Sequence, residues 1–205
     1  IVWGSAQPSA AGAMQARGGG GEQQGMAAEE LPMGMPDEDQ LRQALVQHEK
    51  LLENSPEDIG LIRSIGNYYS MLNDNDKALE LYARAMDLAR KQGNQEAVLE
   101  LYVDEGISLV EKGDIPGGLK RLEECSALDP KDVRSRLTRV AVYLQRVLPA
   151  PPAGMDRKQA IASAETILDE VAVLDPENEY AAQFRSMIEA VRSTMARPRE
   201  DGAGA

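Results

Sequence analysis

The residues that could carry chemistry in this chain are few. One cysteine, Cys125, and one histidine, His48, fall short of a disulfide framework or a zinc site of the usual ligand count. Cys125 stands three residues after Leu122 with no basic residue or helix start placed to lower its pKa, so it reads as a buried small hydrophobe. His48 has no partner in the sequence to orient it for proton transfer and reads as a packing residue. The run Asn73-Asp74-Asn75-Asp76 begins like a calcium loop, but the glycine and glutamate that such a loop needs at its sixth and twelfth places are missing. A turn with Asp76 as a helix cap is the expectation there. Gly18 to Gly21 lacks the Gly-Lys-Ser/Thr of a phosphate-binding loop, and Met33 and Met35 are too few for a soft copper site.

The composition narrows the function further. The 205 residues include 34 acidic against 22 basic side chains, a net charge of -12, which opposes a nucleic-acid backbone. Aspartates and glutamates are plentiful but fall at solvent-facing helical positions beside Lys and Arg, the pattern of a solvated face rather than an active site. The expectation is a non-enzymatic binding protein with no cofactor and no metal.

Those residues must be positioned by helices. From Asp37 to about Thr194 apolar residues recur at three and four residue intervals, with no strand-like alternation. Breaks at 54–56, 73–76, 92–94, 113–116, 129–131, 148–154 and 175–178 leave about eight helices. Residues 1–36, rich in Gly, Ala and Gln, read as a disordered linker, and 196–205 as a flexible tail, leaving 37–195 as the folded domain. The opening Ile1-Val2-Trp3, with no Lys or Arg before Arg17, suits the outer end of a membrane anchor as well as an ordinary tail. Two compartments stay open: membrane-anchored and facing a bacterial periplasm, or cytoplasmic.

The regular punctuation calls for a repeat. After Pro56, residues Ile62, Ile65, Gly66, Tyr69, Ala78 and Tyr82 follow the pattern large-x-x-Leu-Gly-x-x-Tyr, then Ala-x-x-x-Phe. A second unit gives Tyr102, Gly106, Leu109, Gly118, Leu122 and Pro130, with Glu105 in a leucine slot. A third gives Leu137, Val140, Ala141, Leu144, Ala164, Leu168 and Pro176. Ala44 to Pro56, Gly118 to Pro130 and Ala164 to Pro176 each span 12 residues, as do Gly66 to Ala78 and Gly106 to Gly118. The chain thus resembles the tetratricopeptide repeat family over about three quarters of its length. The period slips at two places read as loops, about six residues near Arg90 to Gln95 and about eleven at Pro149 to Arg157.

The resemblance implies an all-α solenoid of antiparallel helix pairs: about three full repeats, an N-terminal half repeat and a C-terminal capping helix over Glu179 to Val191. Its concave face would carry Arg63, Asn67 and Ser70 on the first unit. Arg63 and Asn67 match half of the clamp by which co-chaperones of this class hold a peptide carboxylate. Asp104 opposes that reading, and Arg134 could supply a further cation. Val103, Ile107 and Val110 form an extra apolar stripe, to be covered by a neighbouring helix or by a bound peptide. The implied function is an adaptor that binds a protein or peptide partner on the concave face. The alternatives are an anchored envelope assembly factor similar to those of cytochrome c maturation, and a self-assembling scaffold of undetermined oligomeric state.

Overall fold

The computed structural model describes residues 37–196. The expected linker with its Ile1-Val2-Trp3 opening, the Gly18 to Gly21 and Met33/Met35 segments, and the tail from residue 197 lie outside the described residues.

Among the described residues eight α-helices follow one another: α1 (Glu38–Asn54), α2 (Ile59–Met71), α3 (Asn75–Gln92), α4 (Gln95–Glu111), α5 (Ile115–Leu128), α6 (Val133–Val142), α7 (Arg157–Leu174) and α8 (Glu179–Ala196). A π-helical turn, Tyr143–Val147, continues α6. No strand occurs among the described residues. An Asp or Asn starts each helix, because its short side chain can accept from a backbone N–H that the first turn leaves unpaired. Asp37, Asp58, Asp74, Asn94, Asp114, Asp132 and Asp156 serve α1 to α7. Asn178 serves α8 by accepting from Ala181 N at 3.0 Å. The cap before α3 is Asp74; Asp76, expected there, lies in the first turn and pairs with Lys112. Asn73 takes the left-handed conformation, φ 62°, that turns the chain between α2 and α3.

Each helix packs on the next. Beyond consecutive helices, the substantial contacts join α2 to α4, α4 to α6 and α6 to α8. Helices α2, α4, α6 and α8 therefore lie side by side in one layer, with α3, α5 and α7 behind them. Such a row of stacked hairpins is an α-solenoid, and its core runs without a break from Ile62 to Ile188.

Close approach within the hairpins comes from the small residues. A Cβ on Gly118 would lie 2.5 Å from Gly106 O and from Val110 Cγ2, and one on Gly106 would lie 2.8 Å from Leu122 Cγ. At Gly66 the space belongs to the ring of Tyr82, 2.6 Å from where a Cβ would stand. These contacts sit at the slots that the 12-residue spacing marks. Glu105, in the leucine slot, is served by Arg121 of α5 at 2.7 Å.

The two irregularities differ in kind. The eleven extra residues form a loop between the π-helical turn and α7, anchored where Arg157 Nε donates to Leu148 O at 3.0 Å. The six residues near Arg90 to Gln95 are not a loop. They lengthen α3 to 18 residues and α4 to 17, leaving only Gly93 and Asn94 as the turn. Gly93, at φ 66°, closes α3 in a left-handed cap, and Asn94 N donates to Ala89 O at 2.9 Å.

Candidate functional site

The face formed by α2, α4 and α6 carries most of the residues singled out from sequence. Arg63 of α2 donates to both Asp104 and Glu100 of α4. Asp104 faces a second arginine, Arg134 of α6, at 3.7 Å. Farther along, Arg146 of the π-helical turn binds Glu111 of α4. Three carboxylates of α4 are thus flanked by arginines from the hairpins on either side. The Arg63 side chain is 19% exposed, Asp104 only 9% and Arg134 50%. Burial works to lower the pKa of Arg63, but hydrogen bonds and charge from Asp104 and Glu100 outweigh it and hold the guanidinium above its ordinary value.

Neutral polar groups continue the network. The Tyr82 hydroxyl of α3 donates to Asn67 Oδ1 at 2.7 Å. Burial, and then the charge of Asp104, push the Tyr82 phenol above its ordinary range. Ser70 shares a hydrogen bond with the wholly buried Ser108 of α4 at 3.0 Å and donates to Asn75 Oδ1 at 3.3 Å. A second serine pair, Ser126 and Ser135 at 2.7 Å, joins α5 to α6. Hydroxyl pairs suit helix junctions because each can donate to the other while occupying little volume.

The side chains proposed for a carboxylate clamp are therefore partly committed to the protein itself. Arg63 already holds two carboxylates, Asn67 accepts from Tyr82, and Asp104 is the counter-ion of Arg63 rather than a bystander. Arg134 keeps open donors. The apolar stripe is covered by the chain: Val103 is 2% exposed and Val110 6%, both in the continuous core, and Ile107 is packed against it. Of the two covers expected for this stripe, a neighbouring helix or a bound peptide, the chain's own packing supplies the first.

The remaining candidates are structural in their surroundings. Cys125 is fully buried, and burial followed by the charge of Asp132 pushes its thiol up to about 11. The His48 Nδ1 donates to Ala44 O at 2.9 Å, and its ring meets Tyr68 edge-on at 5.1 Å. Among the described residues, no group of three or more His, Cys, Asp or Glu is placed to hold a metal ion, and no helix is long and apolar enough to cross a membrane.

Sequence reasoning does not find Tyr82, Ser108 and Glu100 as members of this network. Ser108 alone leaves a trace, a hydroxyl set among the apolar Ile107, Leu109 and Val110.

The stacked hairpins, their side-by-side first helices and the close glycine contacts form an all-α helical repeat, the fold that the resemblance to tetratricopeptide repeats implies. No protein-family model matches the chain, and no curated protein matches it in sequence. Among solved structures, MamA is similar at 13% identity and a TM-score of 0.47, covering 80% of this chain and 99% of that one. YrrB, described as a TPR protein with an unusual peptide-binding site, is similar at 16% identity and a TM-score of 0.35, covering 72% and 84%. At these values the likeness supplies no detail, and the repeat assignment stands on the hairpins of the chain itself.

Proposed function

We propose that the chain is a non-enzymatic protein-interaction scaffold that holds a peptide or helix of a partner against the wall of α2, α4, α6 and α8. The observation that carries this reading is the half-exposed Arg134 beside the shared carboxylate Asp104, on a layer of parallel first helices. At 3.7 Å the Arg134 contact is loose, and an ion pair this open contributes about 0–1 kcal/mol, so a partner's anion can take it over at little cost. Arg63, Asn67 and Ser70 would border the bound segment while staying in their own network. The partner is therefore expected to meet a surface already neutral at its centre, with Arg134 as its charged handle.

A photo-crosslinking residue placed at Arg134 or Asn67 tests this in cells that make the protein. Adducts of defined mass from these positions, absent from the same residue placed at Val173 on α7, support the reading. Equal labelling at the wall and at Val173, or none at either, overturns it. Concentration-dependent growth in light scattering, abolished by Arg134→Glu, would instead favour a self-assembling scaffold.

A further inference from the structure

The lengthened α3–α4 hairpin leaves a notch at its tip, beside the end of the shorter α5, which has 14 residues. The notch encloses about 280 Å³ and is lined chiefly by Arg90, Asn94, Gln95, Val98, Tyr102 and Leu128. It lies at the turn of the hairpin, and nothing in the scaffold reading assigns it a role.

Three observations give it a chemical character. The chain carries a net charge of -12, yet no residue lining the notch is acidic. Most arginines among the described residues bind a carboxylate, but the guanidinium of Arg90 meets only the Tyr102 hydroxyl, at a long 3.3 Å. A guanidinium has five N–H donors, so most of those on Arg90 are not taken up by the described residues. The other wall is apolar: Val98 is buried, and Leu128 is 48% exposed.

The supports are rigid. Arg121 lies over the Tyr102 ring, 5.0 Å from its centroid, and is itself fixed by Glu105 at 2.7 Å and Glu124 at 2.8 Å. Those two carboxylates share the one cation, Arg121. Asn94 accepts from Ala97 N at 3.1 Å through its side-chain oxygen, which leaves its amide N–H groups to donate.

We propose that this notch binds an aliphatic carboxylate. The carboxylate sits on Arg90 with the side-chain amides of Asn94 and Gln95 beside it, and a branched aliphatic group lies between Val98 and Leu128. The volume falls just below the roughly 300–1,000 Å³ of sites for drug-sized ligands, so it suits one side chain with its carboxylate. Such a group reaches the notch either as a free branched-chain acid or as the last residue of a partner's chain.

The test is an NMR titration of the ¹⁵N-labelled full chain with 4-methylpentanoate, the tripeptide acetyl-Ala-Ala-Leu with a free carboxylate, and the same tripeptide as its amide, with acetate and inorganic phosphate as controls. Saturable shifts are expected around Arg90 to Val98 and Leu128 with the two acids and not with the amide. Arg90→Ala should weaken the acids at least about tenfold, as loss of a charge-assisted hydrogen bond does, and Leu128→Ala should erase the preference for 4-methylpentanoate over acetate. Arg90 is exposed, and an unchanged amide spectrum away from the notch will show that the fold of the variant is intact. A tighter tripeptide assigns the site to a chain end, and a tighter 4-methylpentanoate to a free acid. The proposal is overturned by absence of saturable shifts with both acids, by equal binding of the amide, by inorganic phosphate shifting the same residues as strongly, or by an Arg90→Ala variant that binds as the parent does.

Discussion

Arg63 and Asp104 tie the first hairpin to the second across the α2–α4 junction, with Glu100 sharing the same guanidinium. Both side chains are largely withdrawn from water, at 19% and 9% exposure, so neither can be rehydrated freely once its partner is lost. Arg63→Ala should therefore destabilise the fold by about 2–3 kcal/mol, less than the 3–5 kcal/mol typical of breaking a fully buried pair. Asp104→Asn should cost less, because Glu100 continues to hold Arg63. Urea denaturation of the two single variants and the double variant gives the coupling, expected at about 1–2 kcal/mol. Strict additivity would show that the pair contributes nothing as a unit.

The same pair marks the boundary of what the sequence can say. Helix number and hairpin order follow from the 12-residue spacing of Gly66, Ala78, Gly106 and Gly118, because that spacing fixes which helix faces can approach closely. Asp104 reads from sequence only as an obstacle to a bound carboxylate, since nothing in the spacing says that Arg63 will lie close enough to be neutralised by it. The stripe Val103, Ile107, Val110 calls for a cover, and the sequence leaves open whether a neighbouring helix or a bound peptide provides it. Its cover depends on how far each hairpin rotates relative to the last, which is set by packing between units rather than by the pattern within one. The extra residues at Arg90 to Gln95 have no Pro and a single Gly, and could equally lengthen helices or form a loop; the helix-favouring Ala, Arg, Lys, Gln and Glu around them let the helices win.

Gly118 and Gly93 should respond oppositely in cause, though both carry glycine. At Gly118 an added methyl meets backbone oxygen and Val110 within the hairpin, so Gly118→Ala should cost about 1–3 kcal/mol through overpacking despite its better helix propensity. At Gly93 nothing lies within 4 Å of the added Cβ, and only the positive φ opposes it. Gly93→Ala should cost about 1 kcal/mol, and Gly93→Asn less, since Asn tolerates the left-handed region. Thermal melts of the three variants check the order; a Gly118→Ala protein as stable as the parent would mean that the helices part without penalty.

Val103 and Val173 separate packing from surface. Aspartate at the 2% exposed Val103 would bury a charge with no partner, a cost of several kcal/mol that should leave the chain unfolded by circular dichroism. Aspartate at Val173, 83% exposed, should alter stability by no more than about 0.5 kcal/mol. A folded Val103→Asp protein would indicate that α4 can turn this face to solvent.

Cys125 gives the fold a dependence on alkaline pH. Its thiol rises from an ordinary value near 9 to about 11 because burial, with the nearby Asp132 charge, disfavours the thiolate. Between those values the native chain keeps a proton that the unfolded chain has lost, and by linkage stability falls as pH increases through that window. The contribution is fully present below about pH 9 and gone above about pH 11. Denaturation midpoints of the parent and a Cys125→Ala variant between these limits should converge with rising pH if Ala fills the site less well, since only the parent carries the titrating group. Reaction of the thiol with a disulfide reagent at pH 8 should be slow in the native protein and fast in urea, because the sulfur is fully buried until the α5–α6 junction opens. Rapid native labelling would place Cys125 in a region that opens locally well below the cost of global unfolding.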